Sequence, residues 1–249
     1  MDISLQLYSI KEEAAADFAH ALELTEKAGY QGVEFAGYFG NTPAEMAKLL
    51  QKYHLKAVST HVGLGSLQED FDKELNYVKE LGFKLLVCPG ISCASKEDTI
   101  RDAQFLESCA QKAAKAGITI GYHNHSHEFV KFDGRYAMDI LLETAPSVKF
   151  EPDVFWVAAA GVDPVAYIKP YAAAGRICAI HAKEMAKGSA RDKHVNAYIG
   201  QGVIDFPAIA ALCPPEKYPF IVEQEEFATD HFDGISQSSK GLRKYLTKN

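Results

Sequence analysis

Eight short apolar runs recur along the chain, and each is followed by a longer stretch with the composition of an amphipathic helix. Within a run the apolar residues follow one another directly, as in Leu85-Leu86-Val87-Cys88, instead of alternating with polar ones. Such runs are typical of parallel strands that are covered on both faces. The predicted strands span residues 3–8, 32–36, 55–60, 84–88, 118–123, 148–151, 177–181 and 220–223. The pattern therefore predicts a parallel α/β fold.

The intervening stretches carry helix signals. A helix is predicted over 12–27, ended by Gly29, and Thr42-Pro43-Ala44-Glu45 supplies the cap, first-turn proline and capping-box glutamate of a second. Further helices are predicted at about 66–80, 97–115, 135–144, 163–173, 206–213 and 232–246, with one long excursion over 184–199. Eight strand–helix units in 249 residues describe a single-domain (β/α)8 TIM barrel over 1–249, which we favour over an open doubly wound sheet.

The composition of the chain limits the kinds of partner and the location that we expect for it. The formal net charge of −7, without a dense Lys/Arg run, argues against a nucleic-acid partner. No apolar stretch approaches the ~18 residues of a membrane span, so we expect no membrane insertion. The five cysteines are scattered without zinc-ligand or disulfide spacing, which favours a reducing, cytoplasmic location. The first residues lack signal-peptide features, although a removed signal stays open.

Polar side chains gather where the predicted strands end. In a TIM barrel these carboxyl ends surround one mouth. The residues in question are Gln6, Tyr8, Glu34, His61, the segment 122–128, Asp153, His181 and Glu223. Taken singly, Asp153 suits a helix cap, His181 a hydrogen-bonded core histidine and Glu223 a partner for a lysine. Together they form a mixed nitrogen and oxygen set that suits Mn²⁺, Mg²⁺, Co²⁺ or Zn²⁺, with manganese a typical occupant.

A family resemblance runs through these same segments. Its motifs are Tyr122-His123-Asn124-His125-x-x-Glu128-Phe129, Phe150-Glu151-Pro152-Asp153-x-x-Trp156, His181-x-Lys183-Glu184, Gly200-x-Gly202-x-Ile204-Asp205 and Val222-Glu223. The sequence resembles the sugar phosphate isomerase/epimerase family of the xylose isomerase-like TIM barrels. The match is collinear over nearly the whole chain and weakest over the first 50 residues. The motifs identify the superfamily but do not separate its substrates.

The resemblance implies metal ligands at Asp153, His181 and Glu223. Many relatives carry the fourth ligand, a glutamate, at the end of the fifth strand, where this chain has His123. Either His123 replaces that glutamate or Glu128 reaches back from the loop; we favour Glu128, because a third carboxylate keeps the site hard. Relatives that are epimerases use two ligand glutamates as opposed acid and base, and this departure puts such a pair in doubt.

Further roles follow for residues beside the ligands. We assign catalytic roles to Glu223, Glu128, Lys183 and His125, with Lys183 as an acid or oxyanion holder and His125 as a proton carrier. Substrate contacts are expected from Gln6, Glu34, His61, His123 and Trp156, the last as an apolar wall for a sugar. Rim salt bridges, packing and ordinary turns remain alternatives for Lys183, Trp156 and the Gly200/Gly202 pair.

The expected function is a divalent-metal-dependent sugar isomerase or epimerase that acts on a ketose or keto-sugar through an enediolate. A metal-dependent lyase, either inosose dehydratase-like or acting on 3-keto-glycosides, shares the first half of that reaction and stays open. A non-catalytic sugar-binding barrel is a further alternative. A DNA-repair endonuclease on the same barrel is disfavoured by the acidic charge. The expected partner is a small carbohydrate, and a homo-oligomer stays open.

Overall fold

In the computed structural model, which describes residues 2–189 and 195–246, eight parallel strands form the central sheet. They are β1 (Ser4–Gln6), β2 (Gly32–Phe35), β3 (Lys56–His61), β4 (Leu85–Cys88), β5 (Thr119–His123), β6 (Lys149–Glu151), β7 (Ile180–Ala182) and β8 (Phe220–Val222). Their spatial order is β6-β5-β4-β3-β2-β1-β8-β7. Parallel bridges from Phe150 to Ile177 and from Asp153 to His181 join β6 to β7 and close the ring. The predicted TIM barrel is confirmed.

Helices surround the barrel in the predicted alternation. They are α1 (Lys11–Ala16), α2 (Phe18–Lys27), α3 (Pro43–Lys52), α4 (Leu64–Leu81), α5 (Lys96–Ala114), α6 (Ala137–Thr144), α7 (Val154–Ala159), α8 (Pro164–Ala173), α9 (Phe206–Leu212) and α10 (His231–Leu246). The capping box that opens α3 is present, with the Thr42 and Glu45 side chains each accepting from the other's backbone N–H. Within the described residues, no helix is long and apolar enough to cross a membrane.

Several elements differ from the sequence predictions. The strand predicted over 3–8 ends at Gln6, because Leu7–Ile10 forms a 3₁₀ helix capped by the Gln6 side chain, and the strand predicted over 177–181 is Ile180–Ala182. The helix predicted over 12–27 is divided at Asp17, whose extended backbone ends α1 and whose side chain caps α2. The start of the helix predicted over 135–144 is taken by an antiparallel hairpin of Lys131–Phe132 with Arg135–Tyr136. An additional helix, α7, begins directly after β6 because Asp153 caps it.

The long excursion after β7 contains a short antiparallel hairpin. Its strands are Glu184–Met185 and Asn196–Ala197. Residues 190–194 of the predicted excursion lie outside the described part of the chain. The hairpin starts three residues after His181, so it is directly attached to the end of the barrel where the polar side chains gather.

The core lies on both sides of the barrel wall. All four residues of β4 are buried, as are those of β2 and the last strand, β8. This double burial is the physical reason for the continuous apolar runs in the sequence. It leaves the strand ends as the place where polar side chains project from a rigid frame.

Candidate metal centre at the barrel mouth

Four side chains from consecutive strand ends converge on one point. His123 ends β5, Asp153 follows β6, His181 lies in β7 and Glu223 follows β8. One ligand atom from each lies within 4.8 Å of those of the others. The Nδ1 atom of His181 is 3.2 Å from a carboxylate oxygen of Glu223 and 3.8 Å from one of Asp153. The structure thus brings together three predicted metal ligands, with His123 as the fourth member.

Asp153 fits both roles that the sequence allows, a helix cap and a metal ligand. Its Oδ1 atom accepts a hydrogen bond of 2.9 Å from the backbone N–H of Trp156 and so caps α7. Its Oδ2 atom is buried and has no hydrogen-bond partner among the described residues. A buried carboxylate oxygen without a partner is costly, so this atom points to a missing ligand.

Glu128 lies outside this group. Its two carboxylate oxygens accept hydrogen bonds of 2.8 Å, one from the Tyr122 hydroxyl and one from the backbone N–H of His125. The short 3₁₀ helix His127–Phe129 turns the side chain back towards β5. Burial raises the pKa of the Glu128 carboxyl. Both oxygens are therefore already engaged in holding the loop after β5.

His123 has the properties of a nitrogen ligand. Its side chain is 2 % exposed, and its Nδ1 atom lies 3.6 Å from a carboxylate oxygen of Glu151, beyond hydrogen-bond distance. Burial, aided by the positive charges of His181 and His61, holds the pKa of His123 well below its usual range. The neutral imidazole that results is the form that binds metals.

A divalent cation fits this donor set. Two carboxylates and two imidazoles balance its charge, and the unpartnered Oδ2 atom of Asp153 would gain a partner. Two imidazoles favour Mn²⁺, Co²⁺ or Zn²⁺ over Mg²⁺, which prefers oxygen ligands.

A second buried group lies against the other edge of His181. The Nε2 atom of His181 is 2.6 Å from a carboxylate oxygen of Glu34, which also accepts a 2.8 Å hydrogen bond from the Gln6 amide. The Nε2 atom of His61 lies 3.1 Å from Glu34 and 2.9 Å from Glu151. Gln6 and Glu34, predicted to bind substrate, are fully buried. Glu34, held by Gln6, lies where it can orient His181, as carboxylates commonly do behind metal-ligating histidines. The predicted substrate contacts of Gln6 and Glu34 stay a prediction.

The charges of this inner group are strongly coupled. Burial opposes ionisation of Glu34, but attraction to His61 and His181 outweighs it and holds the Glu34 pKa well below its usual range. Burial and repulsion from Glu34 raise the pKa of Glu151 to about 7. Burial opposes the charged form of His61, but Glu34 and Glu151 raise its pKa to about 9. One ionised carboxylate thus lies between two imidazoles.

Glu151 and Glu225 were missed in the sequence prediction. Glu151 is two residues before Asp153, and Glu225 is two residues after Glu223. Because side chains two apart in an extended segment point to the same side, each could have been found from its spacing to a predicted ligand.

An open cavity of about 350 Å³ lies over the ligands. It is lined by Tyr8, Ala36, His61, Pro89, His123, His125, Glu223 and Glu225. Burial opposes the ionised form of Glu223, but Lys183 and His181 outweigh it and lower the Glu223 pKa to about 2. Burial lowers the pKa of His125. The cavity thus places an ionised carboxylate and a neutral imidazole on its wall.

A second cavity, of about 400 Å³, lies beside α10. It is lined by Gln201, Lys240 and Lys244 among others, and none of the predicted site residues lines it.

Lys183 and Trp156 form a contact beside the cavity that lies over the candidate metal ligands. The Lys183 ammonium lies 4.7 Å from the centre of the Trp156 ring and 2.5 Å from a carboxylate oxygen of Glu225. Burial lowers the Lys183 pKa, but the surrounding carboxylates of Glu223, Asp153 and Glu225 raise it by more. The Trp156 ring also lies 5.4 Å from the His125 ring.

The glycine motif after β7 packs against Glu184. The buried Glu184 carboxylate accepts hydrogen bonds from the backbone N–H groups of Met185, Gly200 and Ile204. A Cβ atom on Gly202 would lie 2.2 Å from the Met185 carbonyl oxygen and 2.4 Å from the Glu184 carboxylate. The backbone at Gly202 therefore packs closely against Glu184, which fixes the loop beside His181 and Lys183.

Comparison with known proteins identifies the family. The model of the xylose isomerase-like TIM barrel family matches residues 22–245, and the chain belongs to this family. Among solved structures, a sugar phosphate isomerase/epimerase from Parabacteroides distasonis is 22% identical with a TM-score of 0.82, covering 99% of this chain and 95% of that one. An L-ribulose 3-epimerase is 16% identical with a TM-score of 0.76 and the same coverages. The IOLI protein with a bound zinc atom is 17% identical with a TM-score of 0.72, covering 99% and 98%. No curated protein matched the sequence.

Proposed function

We propose that this protein is a divalent-metal-dependent sugar isomerase or epimerase that acts on a ketose or keto-sugar through an enediolate. The observation that carries the proposal is the group of His123, Asp153, His181 and Glu223 beneath an open cavity at the barrel mouth. An epimerase and a zinc-binding protein among the structural neighbours share the fold that presents such a group.

His123, Asp153, His181 and Glu223 would hold the cation, with His123 in place of Glu128. When bound, the cation supplies Lewis-acid polarisation of a substrate carbonyl, which acidifies the neighbouring C–H. Glu34, held by Gln6, keeps the Nε2 edge of His181 engaged, so the Nδ1 atom faces Asp153 and Glu223.

Proton transfer falls to groups on the cavity wall. His125 and Glu223 both line the cavity, and their strands β5 and β8 are three positions apart around the closed ring. A neutral imidazole and an ionised carboxylate can therefore approach a substrate carbon from different sides. One group removes the proton and the other returns one, which yields an epimer or, at the neighbouring carbon, an isomer. Lys183 acts on this step by keeping Glu223 ionised.

A metal-dependent lyase is the second candidate. Its favouring observation is that the end of β5 carries His123, so the ligand set lacks the second glutamate of a symmetric acid–base pair. Unlike groups such as Glu223 and His125 suit an elimination, in which one removes a proton and the other protonates a leaving group.

The test uses chelated protein reconstituted with Mn²⁺, Co²⁺ or Zn²⁺ and a panel of ketoses and keto-sugars in D₂O. We expect metal-dependent turnover that places deuterium on one carbon beside the carbonyl of the product. An unsaturated product absorbing in the ultraviolet would select the lyase. Turnover that survives chelation, or saturable sugar binding without turnover in every metal form, would contradict metal-dependent catalysis; the second outcome would select the binding barrel.

A further inference from the structure

The positive charge of Lys183 is already matched by carboxylates. Its side chain is fully buried, and its Nζ atom lies 2.5 Å from Glu225 and 3.9 Å from Glu223. The aromatic rings of Phe155 and Trp156 lie 5.0 and 4.7 Å from the same atom. In this arrangement the ammonium group is enclosed by two carboxylates and two ring faces, and it does not present a free cation to the cavity.

The rest of the cavity wall offers little to an anion. Among the described residues that line it, none is Lys or Arg, and two are the glutamates that contact Lys183. Lys11 is exposed and lies outside the lining residues; its Nζ atom is 3.2 Å from the Tyr8 hydroxyl and 4.2 Å from the centre of that ring, and neither contact neutralises its charge. A phosphoryl group, which carries a charge of about −1.5 to −2 near neutral pH, would therefore face carboxylates.

Glu225 separates Lys183 from the open cavity. Its side chain is 30 % exposed, whereas that of Lys183 has no exposed surface. Its backbone is also held, because the Glu225 backbone N–H donates to the Asn196 side chain in the hairpin after β7. An ionised carboxylate has about four lone-pair positions, so Glu225 can bind Lys183 and still accept hydrogen bonds from hydroxyl groups.

We propose that Glu225 makes this site selective for uncharged sugars: its carboxylate covers Lys183 and accepts hydrogen bonds from substrate hydroxyls, so that phosphorylated sugars are excluded. The selectivity rests on the sugar-directed function proposed above. It names the substrate class as polyhydroxylated and uncharged, and it adds Glu225 as a specificity-determining residue.

The first experiment needs no catalytic activity. Inorganic phosphate is titrated calorimetrically into the chelated full-length protein and into the Glu225→Gln, Glu226→Gln and Glu225→Gln/Lys183→Met variants. Glu226 is the matched control, because it neighbours Glu225 and its carboxylate accepts from the Asn196 N–H instead of a lysine. We expect saturable phosphate binding only in Glu225→Gln, where a neutral amide replaces the carboxylate that matches the charge of Lys183. Phosphate binding by the unaltered protein that disappears in a Lys183→Met variant, or a Glu225→Gln variant that behaves as the unaltered protein, would overturn the proposal.

The second experiment separates this proposal from the proposed function. With the metal-loaded protein, Glu225→Gln should raise the kcat/KM for phosphorylated ketoses relative to the free ketoses by about tenfold or more, because a like charge is removed. An unaltered protein that prefers phosphorylated ketoses would overturn the selectivity. If no sugar is turned over by any form, the proposed function fails, while the phosphate titration still decides whether Glu225 covers Lys183.

Discussion

The Nδ1 atom of His181 lies 3.2 Å from a carboxylate oxygen of Glu223, although 42 residues separate the two in sequence. The contact exists because β7 and β8 are adjacent parallel strands whose carboxyl ends lie at the same edge of the barrel. The opposite nitrogen of the same imidazole contacts Glu34, which lies in β2, between β1 and β3 in the barrel. His181 therefore connects the candidate metal ligands to the buried group behind them.

Substitutions at Asp153 should separate its two roles. Asp153→Asn keeps an oxygen for the α7 cap but removes the charge, so we expect near-normal stability in the chelator and loss of the stabilisation that Mn²⁺ gives the unaltered protein. Asp153→Ala should in addition lose about 1 kcal/mol of unfolding free energy with the cap. Urea denaturation with and without Mn²⁺ measures both effects. Equal stabilisation by Mn²⁺ in all three proteins would contradict the ligand role.

Glu34→Gln should weaken metal binding without touching a ligand. The substitution removes the charge 2.6 Å from the Nε2 atom of His181. Loss of such a partner typically lowers metal affinity by about 10–100-fold. Glu26→Gln is the matched control, because Glu26 forms a comparable 3.1 Å pair with His54 on the surface. Isothermal titration with Zn²⁺ compares the variants; identical affinities would show that Glu34 does not support His181.

His123 and Glu128 can be distinguished by paired variants. His123→Ala should reduce metal affinity at least as much as the roughly 10–100-fold loss typical of outer partners. Glu128→Gln should leave the affinity within a few-fold but lower stability by about 1–3 kcal/mol, because one of two buried donors loses its acceptor. Metal titration and urea denaturation together give the answer. The reverse pattern would restore Glu128 as the fourth ligand.

Gly202→Ala tests the packing of the loop after β7. The added Cβ atom would collide with the Met185 carbonyl and the Glu184 carboxylate, so we expect a loss of about 1–3 kcal/mol of unfolding free energy. Gly65→Ala is the control, because its Cβ would meet no atom within 4 Å in α4. Stability of Gly202→Ala equal to that of Gly65→Ala would contradict the tight contact described here.

The fold and the outline of the site could be predicted because both depend on local pattern. Continuous apolar runs indicate strands buried on both faces, and a closed ring brings Asp153, His181 and Glu223 to one mouth. The choice between His123 and Glu128 could not be predicted, since it depends on a 3₁₀ turn that directs Glu128 to the Tyr122 hydroxyl. Gln6 and Glu34 do not line the cavity, and their contact with each other and with His181 could not be read from the sequence because it depends on how the ends of β1, β2 and β7 meet. Lys183 was expected at the mouth, but its ion pair with Glu225 was not predicted.

The most direct measurement is an anomalous-difference map from crystals of the protein soaked in Mn²⁺. We expect one strong peak among the side chains of His123, Asp153, His181 and Glu223, and we expect this peak to be lost in crystals of Asp153→Asn. Full-occupancy Mn²⁺ at another place, or no peak at this end of the barrel at saturating Mn²⁺, would contradict it.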